Sequence, residues 1–245
     1  MDLVNYSHIK LTDKEHEQAL RDGRKAKDKR LRAEEALRRT AEYWKTVKAD
    51  KPKVMPTAEQ QLAIFLKQAG DGYVIDDDNR EILNALCLYF SNDPSFENLH
   101  KGYSLKKGLL IWGGLGCGKT HLMQLFSGNY KRRFSVVSVA DVSREYEQSG
   151  SVCMDTYTGD AYISGSGWCF DDLGTEEVSA HYGNKRDVMG SILSERYARK
   201  PKDSTHITTN LSMDLIEELY GSRLRDRFRE NFNLIAFSSS AKSRR

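Results

Sequence analysis

Apolar and polar positions along this chain fall into three regimes. From about residue 11 to 50 the apolar positions are sparse, with Leu20, Leu31, Leu37, Trp44 and Val47 standing among Lys, Arg, Glu and Ala. Such a stretch predicts a long helix or helical pair, with Gly23 as a possible break. Pro52 and Pro56 then mark a linker, and residues 57–70 form a short amphipathic pattern that opens on a Thr cap. From about residue 71 apolar runs alternate with amphipathic ones. A helix is predicted over 79–90, where Asp77 and Asp78 can cap it, and a strand over 109–112. Next come a helix from about 119, a strand at 134–140 and a helix over 141–148. Strands at 165–170, 204–210 and 233–237 alternate with helices near 185–199 and over 213–220. Alternation of this kind predicts an α/β fold, a parallel sheet of five strands flanked by helices and preceded by the charged helical arm. The expected division is an arm and linker at 1–56 and a nucleotide-binding domain at 57–245.

The run from Leu109 to Phe126, LLIWGGLGCGKTHLMQLF, carries the clearest chemistry. An apolar strand enters a glycine-rich bend that satisfies G-x-x-x-x-G-K-[ST], and an amphipathic helix leaves it. Gly113, Gly114, Leu115, Gly116, Cys117, Gly118, Lys119, Thr120 and His121 are the expected nucleotide contacts. Backbone N–H groups turned inward can surround a β-phosphate, and the following helix adds its N-terminal partial charge. Lys119 would bridge phosphate oxygens, and the Thr120 hydroxyl would bind Mg²⁺.

An apolar strand that stops at Asp171 and Asp172 supplies a second element. Asp171 would hold Mg²⁺, and Asp172 would orient and partly deprotonate an attacking water. The alternative is that the two acids cap the next helix. Asn210, at the end of the 204–210 strand, could reach that water or the γ-phosphate, or could serve the turn alone. Arg223, Arg225, Arg227 and Arg229 follow on a predicted helix whose buried side is Leu224 and Phe228. That helix reads either as a solvated basic face or as the source of an arginine offered to a neighbouring subunit.

Composition narrows the setting. With 245 residues and a formal net charge of +3, the chain is only mildly basic, and charge by itself does not argue for nucleic acid. The basic excess is concentrated in the arm, which could be solvated, dock a partner or touch DNA. No apolar run approaches the roughly 20 residues that span a bilayer, and the first residues lack the apolar core of a secretory signal. Cys87, Cys117, Cys153 and Cys169 show no paired spacing, so reduced thiols and a cytoplasmic location are expected, with no zinc site. Cys117 could be oxidisable, or could simply fill a loop position.

Taken in order, GGLGCGKTHL, FDDLGTE, TTNLS and GSRLRDRF resemble the AAA+ ATPases of the DnaC/IstB group, bacterial and phage helicase loaders, over roughly residues 70–237. The resemblance implies that Gly113 to Thr120 bind ATP, that Asp171 and Asp172 are the second acidic motif, and that Asn210 is a sensor. It implies Arg227 as the finger through which subunits self-associate, with Arg223 competing for that role. A further sensor arginine is usual near the end of such a domain, where Arg244 and Arg245 stand. Position 172 commonly carries the longer Glu. The expected partners are a hexameric replicative helicase and single-stranded DNA, with ATP and Mg²⁺ as cofactors and no membrane. Basic residues 131–133 and the polar segment 141–164, read as an insertion with a mobile loop, are candidate strand contacts, Tyr157 and Tyr162 being able to stack on bases. Three other functions stay open. They are an IstB-like transposition ATPase acting on duplex DNA, a small-molecule kinase, and an ATP-gated module without turnover.

Overall fold

The computed structural model describes residues 12–18, 20, 21, 23–25, 27, 28, 31, 38, 55–158, 167–175, 179–181, 184–198, 204–238, 241, 243 and 244. The chain divides into two compact units, Met1–Lys51 and Pro52–Arg245. In the first, the described residues beyond Thr12 are helical, Gly23 among them. Thr12 caps this helix in exchange with Glu15, the Thr12 N–H donating to Glu15 Oε2 at 2.8 Å. Leu20 and Leu31 are exposed on it.

The second unit opens with helix α1 (Ala58–Ala69), capped by Thr57 and Gln60 in a reciprocal box. Helix α2 (Arg80–Ser91) follows. Its first turn is organised by Asp76 and Asn79 rather than by Asp77 or Asp78. Asn79 Oδ1 accepts from the Asp76 N–H, and Asp76 Oδ1 accepts from the Asp78 N–H, each at 3.0 Å. A short helix α3 (Ser95–Leu99) leads to β1 (Gly108–Trp112) and then α4 (Lys119–Phe126). Next come β2 (Phe134–Ser138), α5 (Val139–Ser149), α6 (Ser151–Thr158) and β3 (Gly167–Leu173). Strands β4 (Ser179–His181) and β5 (Asn184–Arg186) form an antiparallel hairpin. Helix α7 (Val188–Ala198), strand β6 (Thr205–Thr209), helices α8 (Met213–Tyr220) and α9 (Ser222–Asn231) and strand β7 (Phe232–Ala236) complete the order.

The sheet is five-stranded in the order β2-β3-β6-β1-β7, and every pairing is parallel. Both faces are covered, as parallel sheets require. Leu109 and Ile111 of β1 enter one apolar cluster with Phe65, Phe90 and Phe126, while Leu110 enters the other with Phe170, Ile192 and Phe228. The outer side of β7 is pinned by the preceding loop: Tyr103 Oη donates to the Leu234 carbonyl, and the Ser104 N–H donates to Asn233 Oδ1, both at 2.7 Å.

Three expectations change here. β2 ends at Ser138, whose hydroxyl accepts from the Ala140 N–H and starts α5. β3 runs through both acids to Leu173 instead of stopping at them. Residues 151–158 are helical, with Cys153, Met154, Tyr157 and Thr158 buried at helical spacing.

His206 of β6 is fully buried between Tyr89, Phe90 and Phe134, its Nδ1 accepting from the Leu109 N–H at 3.2 Å. Burial, with Arg132 and Arg196 adding like charge, lowers its pKa from 6.5 to about 3. The unfolded chain therefore takes up this proton at a pH where the fold refuses it, so the contribution declines as pH falls below the unfolded value. Denaturant unfolding at pH 6.5 and at pH 5 should show a loss from this group of up to about 2 kcal/mol. His206→Gln, whose side-chain oxygen can still accept from Leu109, should show a flatter dependence. An equally steep one would remove His206 as the source.

Candidate functional site

The C-terminal ends of β1, β3 and β6 meet at one rim of the sheet, and the loop after β1 is held there from two sides. The Gly113 N–H donates to the Thr209 carbonyl at 3.3 Å, and the Phe237 N–H donates to the Trp112 carbonyl at 2.8 Å. Gly118, at the N-cap of α4, has φ +103°, a conformation that side chains with Cβ rarely adopt. Lys119 is 5% exposed and folds over the loop, Nζ donating to the carbonyls of Gly113 and Gly114 at 2.9 and 3.0 Å. Leu115 forms the exposed tip. Cys117 is a free thiol buried in the loop, as expected of a residue that fills a loop position.

The acid pair approaches the loop across the sheet. The Thr120 hydroxyl donates to Asp171 Oδ2 at 2.9 Å, and the Thr208 hydroxyl donates to Asp171 Oδ1 at 2.6 Å. Burial pushes the Asp171 carboxyl above the usual carboxylate range and Asp172 adds to this, while the Thr208 and Thr120 hydroxyls and the Lys119 ammonium oppose it. The β3–β6 register shifts between Phe170 and Leu173, and Asp172 sits at that irregularity with φ +57°. Its N–H donates to Thr208 Oγ1 at 2.9 Å.

A cleft of about 540 Å³ opens over the loop, within the range of small-molecule sites. It is lined by Leu115 to Leu122 and by Asp172. Gly72, Tyr73, Val74, Asn79, Phe237 and Arg244 form the rest of its wall, and of these only Arg244 is a candidate on sequence grounds. Tyr73 stands 6.2 Å from the exposed His121 ring, the planes 27° apart. The Arg244 N–H donates to the Gly116 carbonyl at 2.9 Å, and its guanidinium pairs with Asp76 at 2.7 Å. That ion pair holds the Asp76 carboxyl below its usual range. Of the two terminal arginines Arg244 thus reaches the cleft, and Arg245 lies outside the described residues.

A strand–glycine loop–helix unit, with its Lys and Thr facing an acid pair on a strand two places away in a parallel sheet, is a P-loop arrangement. The chain has the P-loop NTPase fold. No family model matches it, and no curated protein does. Among solved structures it is similar to the DnaC helicase loader, at 20% identity and a TM-score of 0.49, over 69% of this chain and 95% of that one. It is also similar to a DNA replication initiation factor, at 17% identity and a TM-score of 0.44, over 68% of this chain and 48% of that one.

Other expected residues lie apart from the cleft. Asn210 follows Thr209 at the same rim, exposed, and does not line it. Arg223 is exposed on α9 with no partner among the described residues, whereas Arg227 stacks on the Tyr197 ring at 4.5 Å. Arg225 is paired with Asp214 and Glu217.

Two candidate DNA contacts are corrected. Arg132 is buried, its guanidinium donating to the carbonyls of Tyr89 and Leu105 and to Asn92 Oδ1 at 2.7–2.9 Å, so it ties α2 to the sheet. Tyr157 packs on Trp168 and donates to Glu145 at 2.9 Å, leaving no face for a base. Tyr162 lies outside the described residues. Lys131 pairs with Asn92.

Gly113 passes close to its neighbours: a Cβ there would lie 2.8 Å from Phe237 Cβ and 2.9 Å from Cys117 Sγ. Gly113→Ala should lower the free energy of unfolding by about 1–3 kcal/mol. An unchanged denaturation midpoint would show that the loop relaxes around the methyl group.

Proposed function

We propose that the chain is an ATPase of the helicase-loading kind, binding ATP in the cleft and hydrolysing it at interfaces between subunits. The observation that carries the ATPase part is the hydrogen bond from Thr120 to Asp171, which joins the phosphate loop to the acid pair. Among the described residues no three His, Cys, Asp or Glu side chains gather as a metal cage. This donor set suits Mg²⁺, which binds through one or two protein oxygens and completes its shell with phosphates and water. Thr120 and Asp171 would hold Mg²⁺, which when bound neutralises charge on the phosphate oxygens.

The protein's own groups divide the remaining work. Lys119 would exchange its two loop carbonyls for β- and γ-phosphate oxygens. Asp172, projecting into the cleft, would accept a proton from the water that attacks the γ-phosphorus as the bond to the β-phosphate oxygen breaks. Asn210 would orient that water. Arg244 would touch the phosphates from the open side, and Arg227 or the more exposed Arg223 would reach the ATP of a neighbouring subunit. The loader assignment rests on the ordered set of motifs and on this run of arginines beyond β6. On that reading residues 1–56 dock a hexameric replicative helicase, and the assembly places it on single-stranded DNA.

Three experiments test these parts separately. Lys119→Ala should weaken ATP binding by about 1.5–3 kcal/mol, tenfold or more, in a direct titration. Asp172→Asn should bind ATP like the parent and lose turnover by about 10²–10⁴; hydrolysis at the parental rate would remove Asp172 from the catalytic role. Native mass spectrometry of the chain with its host's replicative helicase and a slowly hydrolysed ATP analogue should show hexamers carrying several copies. Assembly on duplex DNA without helicase would favour the IstB-like transposition reading instead. A monomer under every condition would exclude a subunit-bridging arginine.

A further inference from the structure

Thr208 is the penultimate residue of β6 and is fully buried. Valine would fill the same volume, so the hydroxyl is what distinguishes this side chain, and both of its bonds go to the acid pair. Oγ1 donates to Asp171 Oδ1 at 2.6 Å and accepts from the Asp172 N–H at 2.9 Å. The second bond stands where the β3–β6 ladder is interrupted by the register shift between Phe170 and Leu173. The next residue repeats the device, the Thr209 hydroxyl donating to the Leu173 carbonyl at 2.8 Å. Two threonine side chains thus stand in for the ladder at the irregularity, which lets Asp172 keep φ +57° and aim into the cleft.

We propose that Thr208 is the positioning residue of the acid pair, one hydroxyl fixing both the carboxylate of Asp171 and the backbone of Asp172. This rests on the nucleotide reading of the site and deepens it. With Oδ1 occupied by Thr208, Asp171 presents Oδ2 toward Thr120, the side on which Mg²⁺ would be shared. Thr208 also lies two positions before Asn210, which directly follows β6. A displacement of β6 by a γ-phosphate held at Asn210 would therefore move both acids together. A purely structural threonine would stabilise the sheet without any preference for the metal-bound nucleotide.

The test is titration of a slowly hydrolysed ATP analogue into the full chain, in Mg²⁺ and in EDTA, for the parent, Thr208→Val and Thr208→Ser. Melting temperatures are recorded alongside. Thr208→Val should weaken binding about tenfold to a hundredfold in Mg²⁺, the size expected for loss of an outer-shell partner. It should leave binding in EDTA within about twofold of the parent, and Thr208→Ser should restore the Mg²⁺ value. The proposal is overturned if Thr208→Val binds the Mg²⁺ complex as the parent does. Equal losses in both buffers, or a serine variant as weak as valine, overturn it too by assigning the residue to packing. A parent that binds no nucleotide in either buffer removes the nucleotide reading itself, and the proposal falls with it.

Discussion

Strand β1 is hydrogen-bonded along both edges, to β6 on one side and to β7 on the other. That double clamp continues one residue past the strand, through Gly113 to Thr209 and through Trp112 to Phe237. A glycine-rich loop has few side chains of its own to hold it. It is held instead by what flanks it, and here the flanks are strands β6 and β7, each paired in parallel with β1. The acid pair and the exposed Asn210 inherit the same frame, because parallel pairing brings the C-terminal ends of β3 and β6 to the rim where the loop begins.

The electrostatics of that rim are balanced by short contacts. Asp171 is buried enough for desolvation to raise its pKa, yet both of its oxygens accept hydroxyl protons and Lys119 lies near. Lys119 in turn is buried against two carbonyl oxygens. Each charged group is paired with neutral dipoles, which keeps the charges in place at low desolvation cost. On the open side Arg244 and Asp76 form an ion pair instead, both partners partly exposed.

Much of this was legible in the sequence because its causes are local. The glycine-lysine-threonine run and the apolar strands with their helices each announce themselves within a dozen residues, and the α/β sheet follows from their alternation. What stayed hidden depends on distance along the chain. Arg244 meets a residue 168 positions away, and nothing near Tyr73 or Asn79 marks them as a cleft wall. Thr208 reads as one more β-branched strand residue until β3 is placed beside it. Arg132 and Tyr157 were misread for the matching reason: a basic or aromatic side chain looks available when the carbonyls and rings that cover it lie in other elements. The β4–β5 hairpin and α3 are too short to show a period, and the polar surface of α6 masked its buried side.

The left-handed backbone at Asp172 also bears on why this acid is short. Aspartate and asparagine enter that region far more readily than longer side chains. A glutamate here would add reach but would have to bear the cost of the turn, whereas in a regular strand it would bear none and would point elsewhere. Backbone path and side-chain length are therefore linked characters at this position. Exchanging the shorter acid for the longer one without straightening the strand would carry a backbone cost of about 1–3 kcal/mol, so this geometry favours the residue it already holds.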